Sequence, residues 1–280
     1  MRTDDLTKHI ARELKPILGG GEAGSVTRLV MEDIFGYRQG NRPRMLSQEE
    51  EILAWTVLNR LQRGEPVQYV TGIADFYGLQ LKVTPDVLIP RPETEELVEW
   101  ILEEHPPESL RRVVDLGTGS GCIPLALKAR RPEWHCLGVD LSEPALEVAR
   151  ENAERTELDV TFAHGDVLEE GLSDAAYDLI LSNPPYIPPS ERPQMGRSTL
   201  DHEPELALFV PEDDPLLFYR RIAELAATAL RPGGQVYCET NEHNSERVLK
   251  LFQEAGFADV HRRRDLQKKW RMVRATRPQD

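Results

Sequence analysis

From Arg111 onward the chain alternates short apolar runs with amphipathic stretches, and this alternation constrains the fold more than any other feature. Strand candidates fall at residues 113–116, 135–139, 160–163, 177–181, 235–239, 259–263 and 270–275. Helix candidates fall between them at 123–130, 144–155, 215–230 and 245–255. Apolar runs of this length, separated by stretches of helical period, read as buried strands joined by crossover helices. Repeated strand–helix alternation implies a mainly parallel sheet with helices on both faces. The last two strands have no helix between them, so they are expected as an antiparallel pair at the end of the sheet.

The first part of the chain reads differently. Leu6, Ile10, Leu14 and Ile17 fall near one helical face that ends at Gly19-Gly20-Gly21. Val26, Leu29, Val30, Ile34 and Phe35 mark a second helix that stops at Gly36. A third opens at Ser47-Gln48-Glu49-Glu50, a capping box in which Ser and Glu satisfy each other's exposed backbone donors. Its apolar face holds Ala54, Val57, Leu58 and Leu61, and Gly64 with Pro66 ends it. Next, Phe76-Tyr77-Gly78-Leu79-Gln80-Leu81-Lys82-Val83 alternates around a glycine, as in a hairpin. Pro90 and Pro92 stiffen the loop around Arg91, and Pro92 starts a helix through Leu97, Val98 and Ile101. The expected organisation is a helical bundle over 1–72, a hairpin linker over 73–92, and an α/β domain over 93–280 with a seven-stranded, mainly parallel, Rossmann-like sheet.

The net charge of −14 argues against a broad basic surface for nucleic acid. The basic run at Arg262-Arg263-Arg264, Lys268-Lys269, Arg271 and Arg274 reads as a charged edge that blocks strand pairing, or as a docking patch for an acidic partner or RNA. Cys122, Cys136 and Cys238 form no CxxC pair, so no zinc site or disulfide framework is expected. The start of the chain is polar and soon acidic, without an apolar signal core, and no stretch is long enough to cross a bilayer. A cytoplasmic protein is expected.

Chemistry gathers where strands end. Asp115-Leu116-Gly117-Thr118-Gly119-Ser120-Gly121 closes the first strand of the alternating part and opens a helix. Glycines let the chain turn tightly and let a ligand approach the backbone. The spacing is GxGxG, and Cys122 stands where a dinucleotide fingerprint has its third glycine. Asp140 ends the second strand, placed to bind ribose hydroxyls or to cap the next helix. Asp166 follows the third, where its carboxylate could meet an adenine amino group while Val167 packs on the ring; an Asp in a polar turn is the plainer reading. Together these residues suggest an adenosine without pyrophosphate, and S-adenosylmethionine is such a cofactor.

Asn183-Pro184-Pro185-Tyr186 follows the fourth strand. Asn offers an acceptor and two donors in a plane. Proline has no N–H, so the Asn-Pro-Pro backbone presents carbonyls unaccompanied by donors, and Tyr supplies a stacking face. The set suits a planar substrate nitrogen that carries two N–H groups.

These motifs resemble the class I S-adenosylmethionine-dependent methyltransferases, and the PrmC/HemK family in particular. The resemblance includes Pro66-Val67-Gln68-Tyr69-Val70-Thr71-Gly72, Leu88-Ile89-Pro90-Arg91-Pro92-Glu93-Thr94-Glu95, the glycine loop through Ile123, Asn183 to Ile187, Glu203-Pro204-Glu205-Leu206-Ala207-Leu208 and Arg231-Pro232-Gly233-Gly234. The Ile-Pro-Arg-Pro-Glu-Thr-Glu string is its most specific part. Pro124 and the stretch Glu239-Thr240-Asn241-Glu242-His243-Asn244 depart from the family pattern. The resemblance implies methylation of the side-chain nitrogen of the GGQ glutamine in class 1 peptide chain release factors, by a monomer that binds no membrane and no nucleic acid. It implies that Gly117, Thr118, Gly119, Ser120, Gly121, Asp140, Asp166, Val167 and Asn183 hold the cofactor. Asn183, Pro184, Pro185 and Tyr186 hold the glutamine, with Asn183, Pro184 and Tyr186 catalytic. Arg91 and Thr94 either close over the cofactor or stiffen and cap the loop, and Glu203 organises the substrate loop or is an ordinary turn residue. Glutamine methylation of a ribosomal protein, methylation of the adenine amino group in DNA, and a non-catalytic adenosine-binding role are the competing readings.

Overall fold

The computed structural model describes residues 1–107, 109–172 and 176–279. The chain divides into two compact units, residues 1–73 with 196–202, and residues 74–195 with 203 onward.

The first unit holds α1 (Thr3–Leu18), α2 (Gly20–Asp33), α3 (Gln48–Gln62) and α4 (Val67–Thr71). Leu6, Ile10 and Leu14 recur every fourth residue, so they share one face of α1 and are buried with Val30, Met31 and Leu58. The ridge continues to Leu18, and Ile17, expected on it, is 51% exposed. Only Gly19 of the glycine run breaks the helix, with φ +77°; Gly20 already opens α2. The capping box of α3 is formed: Glu50 N–H donates to Ser47 Oγ at 3.1 Å, and Ser47 N–H donates to the Glu50 carboxylate at 2.8 Å.

The second unit begins with a hairpin of β1 (Ile73–Phe76) and β2 (Leu79–Lys82). Tyr77 and Gly78 turn it with φ of 49° and 84°, the handedness that a two-residue hairpin turn needs. The hairpin, expected as a linker, is built into the core of this unit: Phe76 and Leu81 are buried with Leu97, Ile101 and Trp134. There follow α5 (Pro92–Glu104), β3 (Arg112–Leu116), α6 (Cys122–Arg130), β4 (His135–Asp140), α7 (Glu143–Thr156), β5 (Thr161–His164) and β6 (Tyr177–Ser182). After α8 (Arg197–His202), which groups with the first unit, come α9 (Leu217–Ala229), β7 (Leu230–Glu239), α10 (Ser245–Glu254), β8 (Ala258–Arg264) and β9 (Trp270–Thr276).

The sheet runs β5-β4-β3-β6-β7-β9-β8. β3 lies parallel to β4 and β6, and β6 parallel to β7. β9 is antiparallel to both β7 and β8. The expected antiparallel pair is therefore present, with β9 between β7 and the edge strand β8. Successive strand residues serve opposite faces. On β6, Ile180 packs with Tyr219, Ile222 and Phe252, whereas Leu179 and Leu181 pack with Leu97, Val98 and Leu125; Tyr177 joins the Ile180 side across a register shift between 177 and 179. Strand order reverses between β3 and β6, and a crevice opens there at the carboxyl ends of the strands, where open α/β sheets bind ligands. No helix among the described residues is long and apolar enough to cross a membrane.

Candidate active site

The loops that follow β3, β4, β5 and β6 surround a cavity of about 210 Å³, roofed by Val87, Leu88, Pro90 and Arg91. Gly117, Thr118, Gly119, Ser120, Asp140, Asp166, Val167, Asn183 and Pro185 all line it. Gly121, Pro184 and Tyr186 do not.

The glycine loop is held by its backbone. Gly117 and Thr118 N–H both donate to the Val139 carbonyl, at 2.9 and 3.0 Å. Gly119 N–H donates to Asp140 Oδ2 at 2.8 Å, so Asp140 pins the loop as well as lining the cavity. Its Oδ1 accepts Ser142 N–H at 2.9 Å. Gly117 and Gly119 have φ of +74° and +53°, and a Cβ on either would meet nothing within 4 Å. Their backbone faces open space. Gly121 serves packing instead, since a Cβ there would lie 2.9 Å from the Phe162 ring. The Thr118 and Ser120 hydroxyls are buried with no short hydrogen bond, lying near Asp115 and Cys122 respectively, so the cradle has polar groups to offer a ligand. Open glycine backbone, two unpartnered hydroxyls and acids after successive strands fit an adenosine-type methyl donor. Asp166 also makes the plainer turn, accepting Leu168 N–H at 2.8 Å on Oδ1.

One residue of this region escaped the sequence reading. Asp115 lies beneath the glycine loop, 1% exposed, and neither carboxylate oxygen has a hydrogen-bond partner. Burial pushes its carboxyl up to about 7, with the nearby Thr118 hydroxyl opposing the rise and the charge of Asp140 adding to it. Its position directly before the glycines was the available signal.

The loop after β6 is held by side chains. Asn183 Nδ2 donates to Thr94 Oγ1 at 3.2 Å, and Thr94 Oγ1 donates to Glu239 Oε2 at 2.7 Å. Tyr186 donates its hydroxyl to Glu239 Oε1 at 3.2 Å, and its ring packs partly against the core. Tyr219 donates to the Glu239 carbonyl at 3.0 Å. Burial drives the Glu239 carboxyl above the usual range, opposed by its hydrogen bonds to Thr94 and Tyr186 and by the charge of Arg271. Burial likewise raises the Tyr186 phenol, which stays neutral. Thr94 sits in the first turn of α5, but its hydroxyl goes to Glu239 and the helix has no side-chain cap. Glu203, 5% exposed, accepts both Ile89 N–H and the Arg91 guanidinium. It ties the stiff Pro90–Pro92 loop to the segment that carries Pro204 and Leu206, two further cavity residues.

The chain matches known proteins closely. A release factor glutamine methyltransferase from Bacteroides thetaiotaomicron is 40% identical over 97% of this chain and 99% of its own length. The chain belongs to the release factor glutamine methyltransferase family. Another member, from Streptococcus pneumoniae, is 45% identical over 78% of this chain and 76% of its own. Residues 94–198 match the family described as the methyltransferase small domain. Among solved structures, a Thermus thermophilus 16S rRNA methyltransferase in complex with AdoMet and guanosine superposes with TM-score 0.55 at 23% identity, covering 73% of this chain and 49% of that one. A methyltransferase from Pyrococcus furiosus gives TM-score 0.52 at 17% identity over 79% of this chain and 97% of its own. These likenesses establish the methyltransferase fold.

The departures from the family pattern are accommodated. Pro124 is the third residue of α6, whose first turn has no intrahelical N–H bond to lose. Asn241 accepts His243 N–H on its side chain and Asn244 and Ser245 N–H on its carbonyl, forming the turn into α10. The basic run is largely paired within the protein: Arg262 with Glu246, Arg263 with Glu103, Lys269 with Glu242, Arg271 with Asp265, and Arg274 with Glu104 and Asp259. Arg262 and Arg264 also stack on Trp270, at 4.3 and 4.5 Å from the ring centroid.

Proposed function

We propose that this methyltransferase transfers a methyl group from S-adenosylmethionine to the side-chain amide nitrogen of the GGQ glutamine in class 1 peptide chain release factors. The observation that carries the reading is the orientation of Asn183. Its nitrogen is engaged by Thr94, which leaves Oδ1 as a carbonyl acceptor at the cavity. Pro184, which does not itself line the cavity, adds a backbone carbonyl beside Asn183 in a Pro-Pro step that has no competing N–H.

When bound, S-adenosylmethionine supplies a methyl group already activated by the sulfonium charge. Gly117 to Ser120 would cradle it, Asp140 would take ribose hydroxyls, and Asp166 and Val167 would take the adenine. The glutamine nitrogen is a poor nucleophile because its lone pair is delocalised into the carbonyl. Asn183 Oδ1 and the Pro184 carbonyl accept its two N–H groups, aim the lone pair and stabilise positive charge as it develops. Tyr186 packs its remaining ring face on the glutamine side chain. No side-chain base is needed before attack, since the proton leaves late to water. We assign the enzyme to the cytoplasm as a monomer without direct nucleic-acid contacts.

Radiolabelled methyl transfer to purified release factor, ribosomes and DNA, side by side, tests the reading. Label should appear in the release factor and vanish when its GGQ glutamine is replaced by alanine. Incorporation into ribosomes or DNA alone would overturn it.

A further inference from the structure

Glu239, Thr94 and Tyr186 form a cluster in which the methyl-transfer scheme gives Glu239 no role. Glu239 ends β7, Thr94 lies in the first turn of α5, and Tyr186 closes the loop after β6. Side chains from these three parts of the fold meet at one carboxylate, 1% exposed, and Asn183, in the same loop as Tyr186, joins it through Thr94.

Proton counting fixes the direction of each bond. Two separate hydroxyls converge on the two oxygens of Glu239, the arrangement of an ionised carboxylate, which only accepts. Thr94 has one hydroxyl proton, and at 2.7 Å Glu239 Oε2 takes it. Toward Asn183, Thr94 therefore has only a lone pair to give, so it accepts. The two ends of an Asn amide have nearly the same shape, and hydrogen bonding decides which way it faces. Here only the NH2 end can satisfy Thr94, at 3.2 Å, and the carbonyl end must face the cavity. Tyr186 spends its single proton on the other oxygen, Oε1. Glu239 thus grips both ends of Asn183-Pro184-Pro185-Tyr186, one directly and one through Thr94.

We infer that Glu239 and Thr94 are positioning residues that set the rotamer of the Asn183 amide, presenting its oxygen and excluding its nitrogen at the acceptor site. This rests on the proposed function only in taking that oxygen as the group that meets the substrate nitrogen. A flipped amide would point two donors at a substrate that also donates, and would repel it.

Thr94→Val and Thr94→Ser separate this role from packing. Thr94 is 2% exposed. If it only filled space, valine would serve and serine would leave a gap. If it orients Asn183, serine keeps the hydroxyl and valine loses it. The expected result is a fall in kcat of roughly tenfold or more for Thr94→Val, with the Kd for S-adenosylmethionine unchanged. Thr94→Ser should stay within about threefold of the native enzyme. The Asn183 side-chain amide resonances, read by 15N NMR without substrate, should shift in Thr94→Val and stay in place in Thr94→Ser. Native kcat and unshifted resonances in Thr94→Val would overturn the inference. The NMR arm needs no substrate, so failure of the release-factor reading would show instead as a native enzyme that leaves the release factor unlabelled.

Discussion

The two walls of the cavity are held in opposite ways. The glycine loop, on the cofactor side, is fixed through its own backbone N–H groups: Gly117 and Thr118 bond to the Val139 carbonyl, Gly119 to the Asp140 carboxylate, and Gly121 to the Thr118 carbonyl. Its hydroxyls at Thr118 and Ser120 are left over for a ligand. The loop after β6 contains two prolines and lacks their N–H groups, so side chains from elsewhere must hold it. Thr94 and Glu239 do so from positions 89 and 145 residues apart along their bonds, Asn183 to Thr94 and Thr94 to Glu239. A wall built from backbone tolerates side-chain change and exposes functional groups. A wall built from a side-chain relay fixes one rotamer and depends on every member. The first should govern affinity for the methyl donor, and the second should govern turnover.

The largest expected effect tests the second wall directly. Asn183→Ala removes the amide oxygen proposed to meet developing charge, and losing one such group costs about 10²–10³ in kcat. Single-turnover methylation at saturating S-adenosylmethionine measures this, alongside calorimetric binding of the donor. Turnover should collapse while the donor Kd moves by less than about threefold. Wild-type turnover in Asn183→Ala would remove the assignment altogether. An equal loss in donor affinity would show that the two walls are not separate.

Beneath the first wall lies an electrostatic cost. Asp115 is buried with no hydrogen-bond partner within 3.5 Å, only the nearby Thr118 hydroxyl opposing the effect, and its carboxyl sits at about 7 against an ordinary 3.8. Between those values the unfolded chain is ionised at this position and the folded protein holds a proton. The folded state then binds more protons, so this group makes stability fall as pH rises through the window. Asp115→Asn removes that slope. Urea unfolding of the ligand-free protein should show the variant gaining about 2–4 kcal/mol on the native enzyme between pH 4 and pH 8. Parallel pH profiles for the two proteins would show that the carboxyl is not raised.

Gly138→Ala addresses the first wall from behind. Gly138 lies on β4 opposite Asp115. A Cβ there would lie 2.7 Å from Thr118 Oγ1 and 2.7 Å from the Phe162 ring. Relieving that overlap costs about 1–3 kcal/mol and moves Thr118 in the cradle. The donor Kd should rise roughly tenfold, with kcat at saturating donor nearly unchanged. A matching fall in kcat would break the division of labour between the walls.

The same contrast explains what could be read from sequence. Strand–helix alternation and period-two burial are local, so all seven strands of the large sheet were legible, though β7 begins at Leu230, five residues before the expected start. The glycine loop was legible because positive φ and open backbone leave a residue-type signature at one place in the chain. Asp140 and Asp166 were legible by position after strands. Tyr186 stands out in the sequence as an aromatic directly after the fourth strand, but its hydroxyl bond to Glu239 and its partial burial in the core do not. Glu239 and Thr94 were not legible as partners of Asn183, because only the folded sheet brings β7 and α5 to the end of β6. The segment between Ile187 and Val210 carried no periodicity, yet it forms 3-10 turns at Pro189–Gln194 and Glu205–Ala207 and the short helix α8. Its prolines set local turns without any repeating pattern to detect.

The smallest effect is expected from outside both walls, at the basic end of the chain. Of that run, Arg264 and Lys268 are exposed and make none of the ion pairs that hold their neighbours. Reversing a paired arginine such as Arg274 would break internal contacts and confuse docking with stability. Reversing Arg264 and Lys268 together changes the surface field by four charges at little structural cost, apart from the Arg264 stack on Trp270. If the run only protects a sheet edge from pairing with other chains, the double variant should methylate release factor within about twofold of the native rate at low salt, where long-range attraction is strongest. A rise in KM for the release factor that salt abolishes would make this edge a docking surface. It would also add a third region to the comparison, one that acts on encounter instead of on donor affinity or turnover.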